Sequence, residues 1–123
     1  MAKCDEGYLC DLCGGDVAEI WESDIYLRYV IGLLDPEQLH IVKERHIRCN
    51  PAVAQFIIDP AFEPIVCAGD FDKRLLDAEY VRQREALLTR GWQRLREIAA
   101  MTEEISLLDY PLPEIREKMQ REA

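Results

Sequence analysis

The stretch "YLCDLCGGD", residues 8–16, places Cys10 and Cys13 three positions apart and follows them at once with two glycines. Two ligands separated by two residues can reach one metal ion from a single tight turn, and Zn²⁺ prefers thiolate and imidazole ligands. Gly14 and Gly15 supply the backbone freedom at positive φ that such a turn needs. The stretch therefore predicts one half of a zinc site, and a distant part of the chain must provide the other half.

A second pair with the same spacing, His46 and Cys49, lies in "HIRCNP". The pair comes just before Asn50 and Pro51, which are typical of a helix N-cap and first helical position. The amides and dipole at such a helix start stabilise thiolate charge. The predicted ligands of Zn²⁺ are Cys10, Cys13, His46 and Cys49. Four protein ligands leave no position for water, so the site is expected to be structural, with no catalytic residue.

Other uses of the cysteines stay open at this point. Cys4 is six residues before Cys10 and is an alternative ligand that could replace His46. Three thiolates would also allow oxidation to release the metal, which is the chemistry of a redox or zinc sensor. A thioredoxin-like pair is disfavoured because it would begin a helix after a strand, whereas Cys13 is followed by glycines. The simplest alternative is a set of free thiols in a small core.

The region between the two pairs is rich in β-branched and aromatic residues. In "DIYLRYVIG", residues 24–32, Ile25, Leu27, Tyr29 and Ile31 alternate with other side chains, which is typical of a strand. Together with "DVAEIW", residues 16–21, this predicts a β-hairpin. The same letters can also form one helix that starts at Ser23. Asp35-Pro36 predicts a further short helix.

The order of a cysteine turn, a hairpin and two ligands at a helix entrance resembles the treble-clef type of zinc module. The resemblance covers roughly residues 9–58. It implies an α+β fold, with a small zinc-stapled module of β-hairpin and short helix at residues 1–58. An ordered connection is predicted at 59–71, and a long amphipathic helix with a short C-terminal helix at 72–123.

An enzyme is the main alternative to a binding protein. The His-Asn-His nucleases share the treble-clef scaffold, and in that interpretation His40 would lie on a strand as the general base. No helix-borne His or Asn that would complete a catalytic site accompanies it. The sequence therefore favours a protein without catalytic activity.

The long helix carries the other functional signal. Val81, Leu88, Trp92, Leu95 and Ala99 recur at helical spacing and form one apolar face. A helix of this length outreaches a module of the predicted size, so we expect a second copy of the chain or a larger protein to cover part of that face. Gly91 in its middle predicts a kink or a close helix crossing.

Composition excludes several function classes. The net charge of −9 opposes binding to nucleic acid or to an anionic membrane, and no apolar run is long enough to cross a bilayer. The N-terminus lacks the pattern of an export signal, and five cysteines without such a signal argue against a disulfide scaffold. We therefore expect a cytoplasmic, zinc-stabilised interaction or accessory protein.

Overall fold

The computed structural model describes residues 9–122, apart from the side chains of His40, Met119 and Glu122. The chain folds into helices connected by short turns. The four α-helices are α1 (Asp24–Val30), α2 (Pro51–Ala54), α3 (Ala78–Ala100) and α4 (Pro113–Glu122). The 3₁₀ turns are Ile20–Glu22, Pro36–His40, Ile47–Cys49, Lys73–Leu75 and Leu107–Asp109.

The predicted α+β fold with a β-hairpin is wrong. Across residues 9–122 there is no β-strand, and antiparallel pairing is limited to two isolated bridges, Leu9 with Asp16 and Ser23 with His46. The segment expected to form the second strand is α1. The chain is therefore all-helical in the part that the structure describes.

Burial on all sides explains why α1 looked like a strand. Six of its seven residues are buried, so polar residues do not mark an outer face at helical spacing. Two side chains cap the start of this helix. The Ser23 hydroxyl accepts from the Tyr26 amide, and the Glu44 carboxylate lies 3.5 Å from the Ile25 amide. The helix beginning after Ser23, the second interpretation of these letters, is the one that forms.

The core lies where α3 crosses α1. Leu88, Trp92 and Leu95 of α3 are buried, and Leu27 and Val30 of α1 are fully buried in the same cluster. A Cβ added to Gly91 would lie 2.5 Å from Cγ2 of Ile31, a distance that real contacts do not reach. The glycine therefore permits a close helix crossing. The Trp92 indole N–H also donates to the Trp21 carbonyl at 3.1 Å.

The C-terminal segment packs back on the same two helices. The Leu112 amide donates to the Val30 carbonyl at 3.1 Å, and the Arg94 guanidinium donates to the Tyr110 carbonyl at 3.0 Å. The Tyr29 hydroxyl donates to the Leu107 carbonyl at 2.8 Å, and burial raises the Tyr29 pKa to about 12. Within residues 9–122, none of the helices combines the length and apolar character needed to cross a bilayer.

Candidate metal centre

The structure brings the two sequence-distant pairs together. The three sulfur atoms of Cys10, Cys13 and Cys49 and one ring nitrogen of His46 all lie within 4.8 Å of one another. The Nδ1 atom of His46 is 3.3 Å from Sγ of Cys13 and 3.7 Å from Sγ of Cys49. Tetrahedral ligands of Zn²⁺ would be separated by roughly 3.5–3.8 Å, given metal–ligand bonds of about 2.0–2.3 Å. This group of side chains could therefore hold a metal ion.

The first pair lies on a tight turn closed by backbone hydrogen bonds. The Cys10 amide donates to the Gly15 carbonyl at 2.8 Å, and the Gly14 amide donates to the Cys10 carbonyl at 2.9 Å. Gly14 has φ +75°, which a residue with a side chain rarely adopts. The Gly15 amide, in turn, donates to Sγ of Cys13 at 3.4 Å. The predicted positive φ is therefore confirmed for Gly14 but wrong for Gly15, which instead supplies a donor to sulfur.

A hydrogen bond on the far side of the ring orients His46. Its Nε2 lies 2.9 Å from the Asp16 carbonyl oxygen, which can only accept, so Nε2 carries the proton. In the neutral form of the ring, the lone pair is then on Nδ1, the nitrogen that faces the sulfur atoms. Histidine ligands of metals are commonly oriented in this way by a partner on their other nitrogen.

The thiols do not ionise alike in their shared environment. Burial raises the Cys10 pKa, but hydrogen bonds from the backbone of Cys13 and His46 outweigh it and lower the pKa to about 6. Burial is also the main reason that the Cys49 pKa is raised to about 11, and the neighbouring sulfurs of Cys10 and Cys13 raise it further. A cation at the centre would relieve this repulsion. The chemistry of the donor set therefore fits a divalent metal.

A buried acidic residue supports the segment that carries His46 and Cys49. The Asp24 carboxylate is fully buried and accepts from Arg45 at 3.0 Å and from Asn50 at 3.1 Å, the residues just outside the His46–Cys49 pair. Arg28 also pairs with it at 2.8 Å. Both ends of the ligand segment are thus tied to the start of α1.

Glu44 adds a second connection between the same elements. Its carboxylate accepts from the Ser23 hydroxyl at 2.7 Å and from the Arg45 amide at 2.9 Å. Its carbonyl accepts from the Asp11 amide at 2.8 Å, which joins the cysteine turn to the His46 segment. Sequence reasoning missed both Asp24 and Glu44, because nothing in the linear pattern marks which acidic residues become buried.

The remaining candidate residues lie elsewhere. Cys4, the alternative ligand, falls outside the described residues. Cys67 is buried next to Ala68, away from the cluster of four. His40 ends the 3₁₀ turn Pro36–His40 instead of lying on a strand, so the placement required by the nuclease alternative is wrong.

Comparison with known proteins matches this chain to no family model, no curated protein and no solved structure. The hairpin of a treble clef is also missing from the described part of the chain. The resemblance to that module therefore extends only to the spacing and proximity of the four residues.

Proposed function

We propose that Cys10, Cys13, His46 and Cys49 bind one Zn²⁺ ion that holds the N-terminal turn against the helical core. The observation that carries the proposal is the convergence of three sulfurs and one imidazole nitrogen within 4.8 Å. Three thiolates with one imidazole form a common structural zinc set and disfavour hard, oxygen-seeking cations such as Mg²⁺ and Ca²⁺.

The function that this supports is that of a zinc-stabilised interaction or accessory protein without catalytic activity. A zinc ion with four protein ligands has no open position for water or substrate, so it does not supply a nucleophile. Its effect is to join residues 10–13 and 46–49, which are separated by more than thirty positions in the chain. Binding energy at such a site becomes folding energy for the joined segments.

Metal analysis of the purified full-length chain tests the proposal. We expect one zinc per chain in the wild type and none in a variant with Cys10→Ser and Cys13→Ser. The matched control is Cys67→Ser, which removes a thiol outside the cluster. Absence of stoichiometric zinc from the wild-type chain, or its retention in the double variant, would contradict the site.

X-ray absorption at the zinc edge distinguishes the two ligand sets. Coordination by three sulfurs and one nitrogen is expected, and Cys4→Ser should leave both the spectrum and the zinc content unchanged. Coordination by four sulfurs, lost in Cys4→Ser, would instead assign Cys4 in place of His46.

Binding of a second copy or of a larger protein through the long helix stays a prediction. The buried residues of α3 pack within the chain against the core, and its exposed residues are mainly polar or alanine. Sedimentation equilibrium at high micromolar concentration tests self-association: a dimer supports it, and a monomer at all concentrations contradicts it.

A further inference from the structure

A cavity of about 230 Å³ lies directly beside the candidate metal centre. One wall is the segment His46–Arg48, which begins at the proposed zinc ligand His46 and ends just before the ligand Cys49. The other lining residues are Trp21 and Glu22, several residues of the loop that contains Phe62, and Trp92 of α3. The cavity is smaller than the roughly 300–1,000 Å³ typical of small-molecule sites, so it suits a single long side chain.

Three aromatic rings line this cavity. Phe62 and Trp92 meet edge to face with their centroids 5.3 Å apart, and Trp21 stands next to them. Both indoles already contact one guanidinium, since that of Arg96, which does not line the cavity, lies 5.5 Å from the Trp21 ring and 5.2 Å from the Trp92 ring. Trp92 is only 3% exposed, so Trp21 and Phe62, which are partly exposed, are the rings that a ligand in the cavity can reach. These rings are thus suited to cation–π contacts.

The charges around the cavity favour a cation. The carboxylates of Glu22 and Glu63 line it together with the guanidinium of Arg48, and the formal charges of these three side chains sum to −1. Glu63 and Arg48 are exposed and form no ion pair with any residue in the described range. The chain as a whole carries −9, which attracts a basic partner over a longer range.

We propose that this cavity binds an arginine side chain from a basic segment of a partner protein. The aliphatic stem would contact Ile65, the guanidinium would lie against Trp21 and Phe62, and Glu63 would supply the opposite charge. Arginine suits the cavity better than lysine because its planar, weakly hydrated guanidinium stacks on aromatic rings. The proposal rests on the proposed function in one respect: zinc holds the His46–Arg48 wall in place.

Intrinsic fluorescence provides a direct test, because the chain has two tryptophans and both line the cavity. The probe is an acetylated and amidated Gly/Ser peptide with one central arginine, titrated into the zinc-loaded full-length chain to millimolar concentration. Matched peptides carry leucine or glutamate at the centre. We expect a saturable change with the arginine peptide and about tenfold weaker binding of the other two, since they lack both the cation–π contact and the ion pair. Equal binding of the leucine peptide, preference for the glutamate peptide, or no saturable response to arginine would overturn the proposal.

Two substitutions at exposed positions should shift the affinity in opposite directions. Glu63→Gln is expected to weaken binding of the arginine peptide about threefold, and Arg48→Gln to tighten it by a similar factor, as for other exposed ion pairs. Glu117→Gln makes the same charge change on α4, away from this cavity, and should have little effect. Tighter binding in Glu63→Gln or weaker binding in Arg48→Gln would overturn the charge assignment.

The metal content separates failure of this proposal from failure of the proposed function. A chain that holds one zinc but does not bind the arginine peptide contradicts the cavity proposal alone. A chain without zinc that binds the peptide supports the cavity and contradicts the zinc site. When zinc is present, its removal should weaken peptide binding at least threefold, and unchanged affinity would overturn the claim that zinc holds the wall.

Discussion

The turn that carries Cys10 and Cys13 differs sharply from the α1–α3 crossing in what surrounds it. Leu9 and Leu12 on the turn are 69% and 59% exposed, whereas Leu27 and Leu95 at the crossing are fully buried. Full burial of a leucine contributes about 1.5–3 kcal/mol, so the crossing gains stability from its own side chains. The exposed leucines of the turn contribute little burial energy, and the turn is held instead by hydrogen bonds to sulfur and backbone atoms.

This difference indicates that the two regions respond to different perturbations. The candidate metal centre and the helical core still share connections, since Asp24 and Glu44 contact residues of both. Loss of metal should therefore loosen the turn first, and loss of core packing should lower global stability first.

Removal of zinc is expected to have the largest effect. After chelation, hydrogen exchange measured by mass spectrometry should speed up strongly at residues 9–16 and 44–50, because structural zinc contributes about 10–16 kcal/mol of binding energy in zinc-finger peptides. Exchange in α1 and α3 should change much less. An equal increase in α3 would show that the two regions unfold as one unit, and an unchanged turn would show that metal does not hold it.

Leu95→Ala tests the core side of the comparison. Leu95 is fully buried, so truncating its side chain should lower the free energy of unfolding by about 2–5 kcal/mol. Urea denaturation of the zinc-loaded protein measures this change. Zinc content under native conditions should stay the same. The matched control is Leu108→Ala, which is 65% exposed and should change stability by less than about 0.5 kcal/mol. If Leu95→Ala loses zinc while it stays folded, the metal site depends on core packing, which contradicts the proposed difference between the two regions.

Asp24→Asn tests the connection between them. The substitution removes the charge that Arg28 and Arg45 share, and breaking a buried ion pair of this kind costs about 3 kcal/mol. Because Arg45 adjoins His46 and Asn50 adjoins Cys49, zinc affinity should also fall about 10–100-fold, measured by competition with a chromogenic chelator. Asp70→Asn, at an exposed site, is the control. Lower stability with unchanged zinc affinity would show that Asp24 stabilises the core but does not support the zinc ligands.

Gly91→Ala is expected to have the smallest effect. The new methyl group would meet Cγ2 of Ile31, and such overpacking costs about 1–3 kcal/mol, against a gain of about 1 kcal/mol in helix propensity. Combining it with Ile31→Ala removes the clash, so a double-mutant cycle by thermal unfolding should show favourable coupling. Additive effects of the two substitutions would mean that the helices do not cross this closely.

Sequence reasoning identified the four clustered residues because their signal is local. Ligand spacing, residue type and the two glycines after Cys13 all follow from short-range geometry, and they single out the four residues that the structure brings together. It failed for residues 24–30, because the strand and helix patterns become indistinguishable when nearly every side chain is buried. The contacts of Ser23 and Glu44 with the first amides of the segment favour the helix, and the Glu44 contact comes from far along the chain.

The sequence by itself determined the donor chemistry of this protein: three cysteines and one histidine in two closely spaced pairs, on an acidic chain with a long amphipathic segment. These properties depend on neighbours a few positions apart. Only the tertiary structure decided that the pairs meet, that Asp24 and Glu44 support them, and that an aromatic cavity opens beside His46. Those features depend on contacts between distant residues, which packing of the helices creates and which no local pattern encodes.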